Sequence, residues 1–493
     1  MSKLRAYISG GSIYGKLMLL IGVLIMVPIL VLPFYHDEIK YAVSFMLPSL
    51  VSIGAGLAAC HTKKHKEDEI SGWQSSLQKG SLPVLFAWCF GFAAGAAPFV
   101  ISGQMSVIHA LFESVSGWTT TGLTVADVTT MPHVFLFHRS FMQYCGGLGF
   151  ILMILLLVGG KQAISLYDAE GHPDRLMPSL RRTVRTIVSI YMGFLTLGTL
   201  LYSLFGMKLF DAVCHTMSAL STAGFTTQQN SIGQYGSFPI EVITIILMLV
   251  GSTNFAVLLL LTKFKFRKIV RVSELRFMFG LIAVFVPLIA FSLMTEMGMG
   301  FGMSLHQSLF GIVTTFTTTG YSTMNYAAWP PFAVGLLIVL MIIGGSIGST
   351  AGGIKLGRAY LLIRIARANI KKRLSPSRRV TAQNYYRAQG KVPIDNSLIA
   401  DTCSFVFCYI MVFIIGTLLI TLTESCTLYD AMFEFASAFG TVGISNGLTN
   451  AFTGTGTLII EMIGMALGRL EVYIVFIGIH AGITKIKIRL TKT

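Results

Sequence analysis

Thr119-Thr120-Thr121-Gly122-Leu123-Thr124 has three counterparts in the chain: Ser221-Thr222-Ala223-Gly224-Phe225-Thr226, Thr317-Thr318-Thr319-Gly320-Tyr321-Ser322 and Gly440-Thr441-Val442-Gly443-Ile444-Ser445. Each reads threonine, a small or apolar residue, glycine, an apolar or aromatic residue, then a hydroxyl residue. Each follows a segment of helical character too short to cross a bilayer, such as residues 105–117 or 429–438, and sits between segments long enough to cross. The four glycines lie 102, 96 and 123 residues apart, a recurrence that marks duplicated units. Thr-x-Gly alone is a weak signal among 50 glycines. The same tract at the same place in four helix–half-helix–helix units is a strong one.

Irregular backbone at membrane depth is tolerated only where it is buried in protein or lines a water-filled cavity, so four such loops need a pore to face. Glycine adopts backbone conformations closed to other residues; Gly122, Gly224, Gly320 and Gly443 can therefore turn carbonyls toward an axis. Each half-helix directs its carboxyl-terminal dipole, worth about half an elementary charge, at the same point. No carboxylate is needed to attract a cation. Potassium-channel filters use four Thr-x-Gly-Tyr-Gly loops around one axis. Here one chain carries all four copies and lacks the second glycine in each, a pattern suited to weaker, less multiply occupied ion binding.

Composition sets the class. Of 493 residues, 54% are hydrophobic and 12% charged, with mean hydropathy +0.72; soluble chains average about 25% charged residues. The net charge of +16 is confined to alternate polar gaps. Lys63, Lys64 and Lys66 occupy one, Arg175, Arg181, Arg182 and Arg185 the next. Residues 263–276, 358–391 and 485–492 hold most of the remainder, with Lys3, Arg5 and Lys16 at the start. Such alternation is the positive-inside bias; it places both termini in the cytoplasm and argues for lipid contact and against nucleic acid. Cys60, Cys89, Cys145, Cys214, Cys403, Cys408 and Cys426 show no metal spacing and no disulfide framework. Residues 17–33 imitate a signal peptide but lack a small-residue cleavage site, so they read as a retained signal-anchor helix.

The expected fold is an all-α polytopic membrane protein with about ten spans: an N-terminal helix pair, then four helix–pore-loop–helix units around a central pore. Spans need about 20 mainly apolar residues, and residues 17–34 and 41–60 make the first two. The unit boundaries are 1–66 for the helix pair, 67–185, 186–276 and 277–395 for repeats one to three, and 396–493 for repeat four. Repeat one spans at 82–101 and returns at 133–158; repeat two uses 187–205 and 239–261. Repeat three uses 277–297 and the glycine-interrupted 332–365; repeat four uses 401–422 and 457–486.

Two features mark a gate. Met341-Ile342-Ile343-Gly344-Gly345-Ser346-Ile347-Gly348-Ser349-Thr350-Ala351-Gly352-Gly353-Ile354-Lys355 interrupts a spanning segment. Its glycines each cost a helix about 1 kcal/mol against alanine; they cluster instead of recurring every four residues as helix-packing glycines do. Arg469 lies inside the last apolar segment, where a charge is costly and points to function. Glu471, two residues on, is poorly placed to pair with it on one helix. Arg139 reads as an arginine near a helix end that snorkels to the interface. Asp211 and Asp430 read as helix caps, whereas Glu113 and Glu434 fall inside half-helices one and four, as supports behind the filter or as hydrogen-bonded structural groups.

These tracts, the Gly-Ser-Thr-Ala-Gly-Gly loop (348–353) and Gly468-Arg469-Leu470-Glu471 resemble the TrkH/TrkG branch of the bacterial potassium-uptake superfamily, over essentially the whole chain. The extra N-terminal pair is a feature of that branch. The resemblance implies potassium uptake across the cytoplasmic membrane, with no organic cofactor and no enzymatic activity. Glycine at the first-loop position, where sodium-selective plant relatives carry serine, implies preference for potassium. The expected ligands are the carbonyls of Thr120, Thr121, Gly122 and Leu123; of Thr222, Ala223, Gly224 and Phe225; of Thr318, Thr319, Gly320 and Tyr321; and of Thr441, Val442, Gly443 and Ile444. The expected gate comprises Gly344, Gly345, Ser346, Gly348, Ser349, Thr350, Gly352, Gly353 and Lys355 with Arg469. The family also implies a homodimer and a cytoplasmic ring of nucleotide-binding regulatory subunits of TrkA type, for which the basic stretch 370–391 is a candidate dock. The chain itself carries no phosphate-binding Gly-x-x-x-x-Gly-Lys motif. Symport of potassium with sodium or protons is the alternative to a channel-like route.

Overall fold

The computed structural model describes residues 11–61, 76–149, 180–374 and 384–490. Lys3, Arg5, Lys63, Lys64, Lys66, Arg175, the end of the first return helix beyond 149 and part of the candidate dock lie outside them.

Its order is α1 (Ile13–Met26), α2 (Ala42–His61), α3 (Ser76–Ile101), α4 (Val107–Trp118), α5 (His133–Leu148), α6 (Leu180–Leu204), α7 (Leu209–Leu220), α8 (Phe238–Gly251), α9 (Phe255–Thr262) and α10 (Phe266–Ile269). There follow α11 (Ser273–Met297), α12 (Phe301–Phe316), α13 (Pro331–Ile343), α14 (Leu356–Arg373), β1 (Asn384–Arg387), β2 (Gly390–Pro393), α15 (Asn396–Thr423), α16 (Leu428–Phe439), α17 (Thr455–Leu470) and α18 (Val472–Leu490). Among the described residues, six helical segments are long and apolar enough to cross a membrane, or up to eight if each of two bent pairs counts as one span.

The exterior is apolar as well as the core. Phe34, Leu204, Phe291, Phe407 and Leu422 are exposed, whereas the threonines that precede the four tract glycines and Glu113, Gln143, Glu434 and Glu461 are fully buried. An apolar exterior, with polar groups enclosed within an otherwise apolar core, suits a lipid surrounding. The N-terminal pair packs through small residues, as membrane helices do: α1 lies along α2, and the Ser49 hydroxyl donates to the Gly22 carbonyl at 2.7 Å.

Two expected single spans are broken. The second return helix, read as 239–261, is two helices, α8 and α9, at 113°. The break is Ser252-Thr253-Asn254, where the Asn254 side chain caps α9 by accepting from the Ala256 N–H at 2.6 Å. The fourth, read as 457–486, bends by 99° between α17 and α18 at Glu471, whose φ is +61°. The basic stretch after α14 contains an antiparallel hairpin with Tyr385 opposite Val392. It is fastened by the Ser273 hydroxyl, which accepts from the Tyr386 N–H at 3.0 Å, and by Arg364, which donates to the Asn384 carbonyl at 3.2 Å.

Candidate functional site

The half-helices α4, α7, α12 and α16 all end in the same turn. The next threonine is left-handed in every case: Thr120 at φ +57°, Thr222 at +51°, Thr318 at +56° and Thr441 at +52°. Its N–H returns to the half-helix, onto the carbonyls of Gly117, Ala219, Thr315 and Ala438 at 3.1–3.2 Å. The N–H of the following residue does likewise, from Thr121 to Ser116, Ala223 to Ser218, Thr319 to Thr314 and Val442 to Ser437, at 2.8–3.0 Å. These amide hydrogens are thus satisfied behind the loop.

The loops then close on one another. Gly122, Gly224, Gly320 and Gly443 have φ of +96°, +78°, +83° and +87°. A Cβ on Gly122 would stand 2.1 Å from the Ala223 carbonyl oxygen; one on Gly224, 2.1 Å from that of Thr319; one on Gly320, 2.0 Å from that of Val442; one on Gly443, 2.1 Å from that of Thr121. Loop one abuts two, two abuts three, three abuts four and four returns to one. The copies are not identical in detail. The Leu123 carbonyl accepts from the Ser116 hydroxyl at 2.6 Å, and the Gly122 N–H donates to the same hydroxyl at 3.0 Å.

Each half-helix also holds the strand that leaves its tract. Glu113 accepts from the Thr124 hydroxyl at 2.5 Å and the Val125 N–H at 2.8 Å; Asp211 accepts from the Thr227 hydroxyl at 2.6 Å. Gln307 accepts from the Thr323 hydroxyl at 2.6 Å, and Glu434 from the Asn446 and Thr449 N–H groups at 3.2 Å. The capping expectation for the aspartates is therefore corrected. The N-cap positions are Lys208 and Thr427, the latter accepting from the Asp430 N–H at 3.1 Å. The snorkelling expectation for Arg139 is also corrected: it is 1% exposed, pairs with Glu113 at 2.9 Å and lies over the Phe225 ring at 3.9 Å. An arginine facing inward found the buried carboxylate that an interface would not have offered.

The glycine-rich segment 344–355 runs under the ring. Gly344, Gly348 and Gly353 have φ of +68°, +70° and +76°, and Lys355 has +82°. The segment is held on one side by the break in repeat two: Asn254 donates to the Ile347 carbonyl at 2.5 Å and the Ser346 N–H to the Ser252 carbonyl at 3.1 Å. Above it, the Thr350 and Thr222 hydroxyls are 3.0 Å apart, and the Gly352 N–H donates to the Thr318 hydroxyl at 2.9 Å. A Cβ on Gly352 would lie 2.2 Å from the Thr441 hydroxyl. The segment thus touches tracts two, three and four from below. The Lys355 ammonium turns back on the Ala351 carbonyl.

Arg469, at the end of α17, joins this segment to repeat one. Its guanidinium donates to the Thr350 carbonyl, and to the Gly146 and Gly147 carbonyls at 2.7 and 3.2 Å. Glu471 turns to Arg358, with two contacts of 2.8 and 3.1 Å, while Arg358 lies over the Phe405 ring at 3.9 Å. Sequence reasoning passed over Gln143 and Ser116 and gave no role to Asn254, an exceptional polar residue within an apolar segment; each orders the ring or the segment below it. Only Asn254 carried a local signal, because asparagine after Gly-Ser-Thr is a helix N-cap pattern.

The sequence model of the TrkH family, described as a cation transport protein, matches residues 55–481. The chain is 31% identical to the Trk system potassium uptake protein TrkG of Escherichia coli K12 and 29% identical to TrkH of the same strain, each over 94% of this chain and 96% of the relative. It is 29% identical to an uncharacterised cation transporter of Methanocaldococcus jannaschii, over 93% of this chain and 92% of that one. The crystal structure of the potassium transporter TrkH from Vibrio parahaemolyticus superimposes with a TM-score of 0.81 at 26% identity, over 96% of this chain and 98% of that one.

Proposed function

Since the chain belongs to the TrkH family of cation transport proteins, and is thus a multi-pass membrane transporter and not an enzyme, we propose that it takes up potassium through the ring of four Thr-x-Gly loops. The observation that carries the proposal is the closed contact circuit of Gly122, Gly224, Gly320 and Gly443, each against the carbonyl of the next loop. Amides turned back onto four half-helices, with the loop carbonyls facing between the loops in this reading, suit a dehydrated monovalent cation. The relatives named potassium uptake proteins support potassium as the cargo.

In this reading the ion passes between the loops, with the carbonyls of residues 120–123, 222–225, 318–321 and 441–444 replacing its water. The four unit divisions given above are the pore repeats. Segment 344–355 closes the path below the ring, and Arg469 holds it closed while opposing cations electrostatically. Opening requires the segment to leave Thr222 and Thr318 and the arginine to release Thr350. A cytoplasmic nucleotide-binding ring of TrkA type would supply that bias from the face bearing the 384–393 hairpin, with both termini on the same side and two copies of the chain paired.

Reversal potentials of the purified chain in planar bilayers, under opposed potassium and sodium gradients and at two proton gradients, test this. A potential that follows potassium alone is expected. One that follows a fixed stoichiometry of potassium with sodium or protons would replace the channel-like route with symport.

A further inference from the structure

Gln143 is fully buried on α5, in repeat one, yet its amide serves repeat two. Its Nε2 donates to the Ala223 carbonyl at 2.8 Å. Its Oε1 accepts from the Ser218 hydroxyl at 2.5 Å and from the Phe225 N–H at 3.2 Å. One side chain thus grips loop two on both sides of Gly224 and ties it to its own half-helix. The oxygen it holds, that of Ala223, is the one against which Gly122 packs.

Among the described residues the other three loops have no such grip: no side chain donates to the corresponding carbonyls of Thr121, Thr319 or Val442. The residues as far beyond their glycines as Gln143 is beyond Gly122 are Ile245, Met341 and Gly464, none with a hydrogen-bond donor in the side chain. Four near-equivalent loops therefore present one carbonyl that is tethered and three that are not.

We infer that Gln143 is a specificity-determining positioning residue, which pins the Ala223 carbonyl and makes the filter unequal around its axis. The inference rests on the filter reading proposed above. A carbonyl oxygen has two lone pairs; one is held by the amide, and the other remains for an ion. A smaller cation is bound well only if the carbonyls close in around it. A carbonyl held from behind by Nε2, with the next N–H held by Oε1, resists that movement and so disfavours sodium more than potassium. Satisfying a buried amide would need any partner; it would not need one on the ring.

The test uses the full chain in proteoliposomes and bilayers, with bi-ionic reversal potentials for potassium, rubidium and sodium. Gln143→Met keeps the length and removes all three bonds. Gln143→Glu keeps the acceptor for Ser218 and Phe225 and removes the donor to Ala223. Both are expected to raise the sodium-to-potassium permeability ratio at least fivefold in protein that remains monodisperse, a readout that loss of packing alone would not move. If both folded variants keep the wild-type ratio within twofold while the wild type prefers potassium, this inference is wrong and the filter reading stands. A wild-type chain without potassium preference would overturn the filter reading and this inference with it.

Discussion

Replacing Gly122 with serine should damage selectivity through a loop other than its own. At φ +96° a side-chain-bearing residue is strained, at a cost of roughly 1–3 kcal/mol. The larger effect is steric. The new Cβ would start 2.1 Å from the Ala223 oxygen and 3.4 Å from the Gly224 Cα, against a comfortable carbon–oxygen approach of about 3.3 Å. Ala223 must give way by about 1 Å, and Gln143 holds that oxygen from the other side. A carbonyl pushed out of a cation's shell forfeits about as much as a hydrogen bond to a charged group, roughly 1.5–3 kcal/mol, or about tenfold to a hundredfold. The ratio of sodium to potassium permeability in Gly122→Ser should therefore rise by about tenfold or more. Bi-ionic reversal potentials of purified protein in planar bilayers measure it directly, with size-exclusion profile and thermal midpoint confirming the fold. Because the circuit is closed, serine at Gly224, Gly320 or Gly443 should act alike through the Thr319, Val442 and Thr121 carbonyls. A folded Gly122→Ser protein that excludes sodium as well as the wild type would refute the reasoning.

Arg469→Ala removes the donors to Thr350, Gly146 and Gly147 and should raise basal potassium flux severalfold in liposomes; equal or lower flux in folded protein would remove the arginine barrier. Gly352→Ala places a methyl against the Thr441 hydroxyl and the Gly440 carbonyl. It should push the segment from the ring and also raise basal flux, whereas Gly54→Ala, with nothing within 4 Å, should change neither flux nor thermal midpoint. Arg139→Met leaves the fully buried Glu113 without its cation, a loss of about 3–5 kcal/mol. The thermal midpoint in detergent should fall by several degrees, and Glu113→Gln added to it should recover part of the fall.

The order of elements was legible because lipid imposes strong constraints: span length, charge bias and a repeated polar tract between apolar runs. Gly122 and its counterparts announce themselves because only glycine sits easily at their φ. The preceding threonines do not. Thr120, Thr222, Thr318 and Thr441 are β-branched residues in the left-handed region, a conformation that local preference opposes and that the hydrogen bonds to the half-helices impose. The breaks at Asn254 and Glu471 were hidden for a similar reason. Hydropathy continues across both, and what bends the chain is tertiary: Asn254 caps α9 while holding Ile347, and Glu471 reaches Arg358 on another helix. Arg139 was misjudged because distance along a helix says nothing of which way the residue faces. Gln143 had no motif at all, since its three partners are all in the neighbouring repeat.

Ring and segment share polar groups, and this bounds the energetics of the proposed gating. The Thr222 and Thr318 hydroxyls, which belong to the tracts, are also partners of Thr350 and Gly352 in the segment below. When the segment withdraws, those hydroxyls face the pore, where water replaces the lost partner. Each exchange is then worth only the net value of a hydrogen bond, about 0.5–1.5 kcal/mol. The Arg469 contact with Thr350 adds a charge-assisted bond at about 1.5–3 kcal/mol. Carrying a gate from 1:99 to 99:1 takes about 5.5 kcal/mol of differential binding. The closed state's direct contacts are of that order, so a regulatory partner of the proposed kind would need to change only a few contacts to move the segment. It follows that Arg469, with the largest single share, should set how much regulation is required: in Arg469→Ala the flux ratio between regulated and unregulated protein should shrink as the basal flux rises. A variant with raised basal flux and an undiminished regulatory ratio would mean that the arginine resists the ion and does not hold the segment.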